Sequence, residues 1–314
     1  MTMRSRDAWK SLGGVTVGGV HLSNPVMTAS GTGGHDTELS HYMDLSALGA
    51  VVVKSLYHEP WAGNPAPRVH VAGAGMINAV GLEGPGVLAW CNDSLPRLEA
   101  ARATTVVSIW GRGVEDYRRA AELLSPFSRR IAAVEVNLSC PNLEGRNSIF
   151  AHDADLSAEV IRNVVGEVSV PVWGKLSANT DRLLDVVESV TGAGASAVTL
   201  INTMLGMQID TATGRPSLGN GGGGLSGTSI HPIAVRAVYD VASRFPGVDI
   251  IGVGGISSGI DAVEMMMAGA KCVQVGTATF ARPDACARIL AEAASIVMRR
   301  GGSDWAAVHR LAHT

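Results

Sequence analysis

The sequence predicts an α/β fold, a (β/α)8 TIM barrel, on three observations. Eight short runs rich in Val, Ile and Leu alternate with helix-like stretches along the whole chain. These runs are apolar without clean alternation, the pattern of parallel strands covered on both faces. The 314 residues, 46% of them hydrophobic, suit one large core, and domains of that size are mostly such barrels. The expectation is one domain over residues 1–314.

Each element has its own justification. "GGVTVGGVHLSNP" (13–25) reads as an N-terminal β-hairpin closing the barrel bottom. The strands are expected at 25–29, 50–54, 105–109, 133–138, 172–176, 197–201, 249–253 and 272–276. Helices are expected at 37–47, 86–95, 114–124, 156–168, 181–193, 232–244, 259–268 and 283–298. Asp155 marks one helix start, and Gly192 and Gly194 mark one stop. Small-residue turns in "TGAGASAVTL" and "MAGAKCVQV" suit helix-to-strand connections. Long loops follow strands two (55–85), four and six (202–231). Loops after barrel strands lie on the catalytic face, so they are candidates for a wall or lid. A doubly wound sheet is the alternative, but the first strand–helix turn, "SGTGGH", is not G-x-G-x-x-G, and "GVGGIS" carries Ser257 at the third glycine position.

Composition narrows the function. Net charge is −3 with a pI near 6.3 and no basic stripe, which argues against nucleic acid. The start "MTMRSRDAWK" has no apolar segment behind it, and no apolar run reaches the ~18 residues of a membrane span. A soluble, cytoplasmic protein is expected, with no membrane contact. Cys91, Cys140, Cys272 and Cys286 form no C-x-x-C pair, so no metal site is expected in this chain. Cys91, Cys272 and Cys286 read as core fillers. Cys140, in "VNLSCPN", is open to three readings: buried small hydrophobe, metal ligand, or the residue that does chemistry.

Polar residues collect at the strand ends: Ser30, Lys54, Ser108, Asn137 with Cys140 and Asn142, Lys175, Asn202 with Thr203, Gly254–Gly255 and Gly276–Thr277. The barrel rule would converge them on one pocket. The last two turns, "GVGGIS" and "VGTAT", match the phosphate site made by the loops after strands seven and eight. "GGGGLSG" (221–227) reads as a hinge or as a close backbone approach to a ligand. A phosphate site, two lysines and several carboxamides together suggest FMN. A buried lysine stabilises the negative charge of a reduced flavin, and an Asn offers a donor and an acceptor to its ring edge.

These residues carry a resemblance. "NPVMTASGT", "GNPAPRV", "MINAVGLEGPG", "EVNLSCPN", "KLSANT", "INTMLG", "GGLSG", "IIGVGGI" and "VGTATF" are similar to the motifs of the dihydroorotate dehydrogenase family over residues 13–282. Cys rather than Ser at position 140 resembles class 1, and "GNPAPRV" with "INTMLG" resembles the class 1B catalytic subunit. The resemblance implies oxidation of (S)-dihydroorotate to orotate in de novo pyrimidine (UMP) biosynthesis. The hydride would pass from C6 to N5 of FMN, with Cys140 as general base for the C5 proton. It assigns Lys54, Asn78, Ala79, Val80, Gly81, Leu82, Asn137, Asn142, Asn202 and Thr203 to the substrate. It assigns Ser30, Lys54, Ser55, Ser108, Asn137, Lys175, Ile201, Gly227, Gly254, Gly255, Gly276 and Thr277 to FMN. It further implies a homodimer and a partner subunit carrying FAD and a [2Fe–2S] cluster that passes electrons to NAD; fumarate is the alternative acceptor. Another FMN barrel oxidoreductase, acting on a dihydropyrimidine or related ene substrate, is the alternative function. A flavin-free phosphate-binding lyase or isomerase stands further off. The chain departs from the family pattern at Gly174, Ala178, Ser108 and "SGTGGH".

Overall fold

A computed structural model describes residues 8–139 and 150–314. Eight parallel strands form the central sheet: β3 (Val26–Thr28), β4 (Val51–Val52), β7 (Thr105–Ile109), β8 (Ala133–Asn137), β9 (Val172–Lys175), β10 (Ala197–Leu200), β15 (Ile250–Val253) and β16 (Cys272–Val275). They pair in the order β3-β16-β15-β10-β9-β8-β7-β4. The barrel closes between its two end strands: Met27 bridges Ala50, and the Gly49 amide donates to the Val26 carbonyl at 2.8 Å. The expected (β/α)8 barrel is therefore present, with ladders shorter than the apolar runs that announce them.

Side-chain alternation sorts each strand into an inner and an outer row. The outer row, including Val26, Val51, Val107, Val134, Val198 and Val273, belongs to the main core with the helices. Those helices are α1 (Val87–Asp93), α2 (Leu95–Ala100), α3 (Val114–Leu124), α4 (Ala154–Glu167), α5 (Leu183–Gly192), α6 (His231–Arg244), α7 (Gly259–Met267), the short α8 (Ala278–Ala281) and α9 (Ala285–Arg299). In α3 the buried face is Tyr117, Ala120, Ala121 and Leu124, an i, i+3, i+4, i+7 stripe.

The inner row changes character along the barrel axis. At the strand starts it is apolar: Met27, Val52, Val106, Ala133, Trp173, Ala197, Ile251 and Cys272. The hairpin β1 (Val15–Val17) and β2 (Val20–Leu22) adds Val17, Val20 and Leu22 to this cluster and so plugs that end. Two residues further on the inner row turns polar, with Ser108, Glu135, Lys175, Thr199 and Gln274 all buried. The chain thus seals one end of the barrel with hydrocarbon and furnishes the other with functional groups.

Two expectations need correction. The helix expected at 37–47 is two 3-10 turns, Glu38–His41 and Leu45–Ala47. Asp44 accepts from the amide and hydroxyl of Ser46 at 2.9 and 2.7 Å, and this local bonding displaces a continuous helix. The helix expected at 86–95 stops at Asp93 and restarts at Leu95, with Pro96 in its first turn, where a missing N–H costs nothing.

The long loops after strands two and six form one structure. β5 (Val69–Ala72) and β6 (Gly75–Asn78) from the first join β11 (Met204–Gly206) and β14 (Gly223–Gly227) from the second in an antiparallel sheet ordered β11-β14-β6-β5. A small hairpin, β12 (Ile209–Asp210) and β13 (Arg215–Pro216), extends from it. From Gly223 to Gly227 the glycine run is strand β14, not a free hinge. A Cβ on Gly224 would stand 2.2 Å from Thr203 Oγ1, and one on Gly223 would stand 2.4 Å from the Asn78 carbonyl oxygen. These glycines let the lid backbone approach the barrel mouth. Among the described residues no helix is long and apolar enough to cross a membrane.

Candidate active site

A cavity of about 900 Å³ lies between the strand C-termini and the lid sheet. It is lined by Ser30, Lys54, Ser55, Asn78, Ala79, Val80, Gly81, Leu82, Asn137, Lys175, Ile201, Asn202, Thr203, Gly227, Gly254, Gly255, Gly276 and Thr277, all singled out in the sequence. Ser108 is the exception. It is fully buried, donates to or accepts from Ser55 at 2.8 Å, and stands behind the wall. Its place on the third barrel strand explains the expectation; its short side chain explains why Ser55 covers it. Cys140 and Asn142 lie outside the described residues.

One hydrogen-bond chain runs along the wall. Ser30 meets Ser55 at 3.2 Å, Ser55 meets Ser108, and Asn137 Nδ2 donates to Ser55 Oγ at 3.2 Å. Asn137 Oδ1 accepts from Asn202 Nδ2 at 3.0 Å and from the Ser139 amide at 3.2 Å. The backbone at Asn137 is held from outside, where Tyr117 donates its hydroxyl to the Asn137 carbonyl at 2.8 Å. A buried carboxamide with its partners on both sides has a fixed orientation, which is what recognition of a planar ligand requires.

The floor is charged. Lys175 is 5% exposed, and its Nζ lies 3.6 Å from Glu135 Oε1. Lys54 enters from the segment after β4; burial depresses its pKa, Glu83 opposes that shift and Arg68 adds to it. None of the described lining residues is a carboxylate. The chamber is therefore cationic and suited to anionic ligands.

The Asn78–Leu82 segment is held as a shelf. Asn64 donates its amide group to the Ala79 carbonyl at 3.1 Å, Trp61 Nε1 donates to the Gly81 carbonyl at 2.9 Å, and the Asn64 amide donates to the Val80 carbonyl at 3.0 Å. Arg68 ties this clamp together by donating to the Ala62 carbonyl at 2.9 Å and pairing with Glu83. Leu82 lines the cavity at φ +59°, a left-handed conformation that a branched side chain adopts only when its surroundings hold it there.

The glycine turns sit at the far end. Gly254 and Gly255 have φ of +137° and +67°. A Cβ there would stand 2.6 Å from Ala234 and His231 respectively, so packing as well as conformation requires glycine. The amides leading into α7 are already used: the Asp261 carboxylate accepts from the Ser257 and Ser258 amides at 2.8 and 2.9 Å, and the Gly259 amide donates to Glu292 at 2.8 Å. An anion at this end would meet the Gly254–Gly255 and Gly276–Thr277 turns and the side chains of Arg282 and Arg288, which also line the cavity.

Several functional positions escaped the sequence reading. Glu135 and Gln274 are polar residues at alternate positions inside apolar strands, and that parity was the available signal. Asn179 holds the lid by donating to the Thr203 carbonyl at 3.0 Å and accepting from the Leu205 amide at 2.8 Å. No spacing rule connects those residues. Burial pushes the Cys91 and Cys286 thiols up to about 12 and the Cys272 thiol up further, in keeping with core-filling roles.

Residues and cavity fit a phosphorylated flavin on chemical grounds. Lysines and fixed carboxamides surround the centre, glycine turns border one end, and Ser139 Oγ is buried with no partner among the described residues.

Fold and site define a (β/α)8-barrel enzyme working at the strand C-termini beneath an antiparallel lid. Comparison with known proteins specifies it further: the family model described as "Dihydroorotate dehydrogenase" matches residues 14–297, and the chain belongs to that family. Relatives named "Dihydroorotate dehydrogenase B (NAD(+)), catalytic subunit" include proteins of Geotalea daltonii, 43% identical over 290 residues, and Desulforudis audaxviator, 44% identical over 292. Each alignment covers 92% of this chain and 94% of the relative. The protein of the same name from Bacillus pumilus is 39% identical over 289 residues, covering 92% and 93%.

Proposed function

We propose that this chain oxidises (S)-dihydroorotate to orotate in pyrimidine biosynthesis, as the FMN-holding catalytic subunit of a class 1B enzyme. One observation carries the reading: Lys54, Asn78, Asn137, Lys175, Asn202 and Thr203, from separate strand ends and loops, line one cavity. FMN, when bound, supplies the two-electron acceptor for the C6 hydride.

The chain's own residues do the rest. Asn137, held by Ser55 and Asn202, presents a fixed amide edge to the pyrimidine ring. Asn78, Asn202 and Thr203 complete the substrate's polar contacts, and the Ala79–Leu82 shelf bears on its ring. Lys54 offers a positive charge to the substrate carboxylate, and Lys175 one to the flavin ring. Ser30, Ser55, Ile201, Gly227, Gly254, Gly255, Gly276 and Thr277 hold the cofactor, with Ser108 supporting Ser55 from behind. Cys140 takes the C5 proton, leaving the electron pair to form the ring double bond as the C6 hydride departs. Asn142 belongs to the substrate set. The lid sheet excludes water, which strengthens each of these interactions.

The whole chain, 1–314, is one barrel domain in this reading, working in the cytoplasm as a homodimer. Electrons leave through a partner subunit with FAD and a [2Fe–2S] cluster to NAD. The test is purification from the native host, identification of co-purifying chains, and an anaerobic flavin titration. Bleaching by dihydroorotate, a spectral shift with orotate, and turnover with NAD only in the presence of a second chain are expected. Flavin untouched by either pyrimidine would point to another ene substrate, and turnover by the lone chain with fumarate would remove the class 1B assignment.

A further inference from the structure

We propose that Glu135 is the counter-ion that holds the Lys175 Nζ at the cavity floor, so that the ligand above is reduced beside a fixed positive charge. The inference rests on the FMN reading above. Glu135 does not line the cavity and is 0% exposed; it is a positioning residue, acting through Lys175.

The geometry separates the two carboxylate oxygens. Oε2 accepts from Thr199 Oγ1 at 3.0 Å and from Gln274 Nε2 at 2.6 Å. Oε1 has no hydrogen-bond partner among the described residues and faces Lys175 Nζ at 3.6 Å. Two neutral donors from β10 and β16 thus lock the carboxylate in place without neutralising it. The one oxygen left over meets the one cation. The register makes the arrangement unavoidable. Lys175 pairs with Asn137 on β8 and with Thr199 on β10, and Glu135 lies two residues below Asn137 on the same inner row. The chain therefore places its anion one layer under its cation.

A fully buried carboxylate is costly unless paired, and removing one partner of such a pair leaves an uncompensated charge. Among the described residues, the cavity lining offers Lys175 no other acid. The other charged side chains lining the cavity are Lys54, Arg282 and Arg288, all cationic, and the inner row beside it offers only Asn137, Thr199 and Gln274. Without Glu135, the buried Lys175 side chain would lose the partner that fixes its position. At 3.6 Å the pair is also too long for a tight hydrogen bond, which leaves the ammonium protons available to the cavity.

The consequence is coupling between the two side chains in their effect on a bound flavin. The experiment is a spectroelectrochemical titration of the FMN-loaded protein at pH 7, reading the midpoint potential. Glu135→Gln should shift the midpoint from the wild-type value, whereas the same change made in a Lys175→Met protein should not, so that Lys175→Met and Glu135→Gln/Lys175→Met match each other. An FMN-loaded Glu135→Gln protein with the wild-type midpoint would overturn the proposal and leave the flavin reading standing; a wild-type protein that takes no FMN would overturn both. Should Glu135→Gln alone fail to hold FMN, the double variant compared with Lys175→Met decides. Equal FMN binding by those two supports the pairing, and binding lost only in the double variant assigns Glu135 to the fold alone.

Discussion

Asn202 donates to the Asn137 side-chain oxygen across 3.0 Å, linking the ends of two barrel strands that have β9 between them. The bond consumes one lone pair of Asn137, the Ser139 amide takes the other, and Ser55 receives one of the two N–H groups. One N–H of Asn137 remains for a ligand. Asn137→Asp keeps the size and the acceptor side, and the Ser55 hydroxyl can turn to donate. The variant loses the free N–H and gains a negative charge facing an anionic ligand. Orotate affinity should fall by at least about tenfold, equivalent to about 1.4 kcal/mol, with FMN still bound. A spectral titration with orotate measures this, and unchanged affinity would remove Asn137 from the substrate set.

Cys140 is tested through the kinetics of the half-reaction. A free thiol has a pKa of ~8.5, so only a small fraction is thiolate at neutral pH. Flavin bleaching by dihydroorotate should accelerate as pH rises through the thiol pKa. Cys140→Ala should retain FMN and slow anaerobic bleaching by a factor of about 100 or more, the contribution that a positioned base makes. Stopped-flow reduction reads both, and an unaltered rate would exclude Cys140 as the base.

Lys54 sets a different pH limit. Burial is the main cause lowering its pKa below the ordinary 10.5, with Glu83 working against it and Arg68 with it. The folded protein therefore loses this ammonium at a lower pH than a free lysine would. Orotate stays anionic across that range, so its affinity should decline as pH rises through the depressed value and be strongest below it. Lys54→Met should bind orotate weakly with no such decline. A wild-type affinity that is flat up to pH 10 would show that this charge does not meet the ligand.

The sequence made most of the barrel legible because parallel strands buried on both faces leave apolar runs that need no alternation to be seen. Strand ends were equally visible, since Lys54, Asn137, Lys175 and Asn202 each interrupt such a run. What stayed hidden was pairing at a distance. The loops carrying Met76 and Leu225 look unrelated in sequence, yet Met76 pairs with Ser226 and Leu225 with Ile77 in one lid sheet. The helix expected at 37–47 gives way to the Asp44–Ser46 bonding, a local effect that periodicity does not record. Glu135 lies inside an apolar strand run, and its meaning depends on Thr199 and Gln274, far along the chain.

Gly174 stands in the middle of a central strand, and the structure shows what fills the room beside it. It pairs with Val136 on one side and Val198 on the other, and its missing side chain would point outward to the helices. Its φ lies outside the left-handed region, so the backbone does not require glycine. A Cβ there would meet Ile161 Cδ1 and Val190 Cγ2 at 3.7 Å, ordinary contact distances. Those two side chains, from α4 and α5, thus occupy the room that a larger residue would need. Gly174→Ala fits without movement, buries a methyl and reduces the freedom of the unfolded chain. It should raise stability by about 0.5–1 kcal/mol, read as a higher urea midpoint at unchanged slope. Gly174→Val adds two methyls beyond a contact already made and should cost about 1–3 kcal/mol through overpacking. A gain with valine would mean that Ile161 and Val190 yield readily. A loss with alanine would mean that the strand needs glycine for its backbone after all.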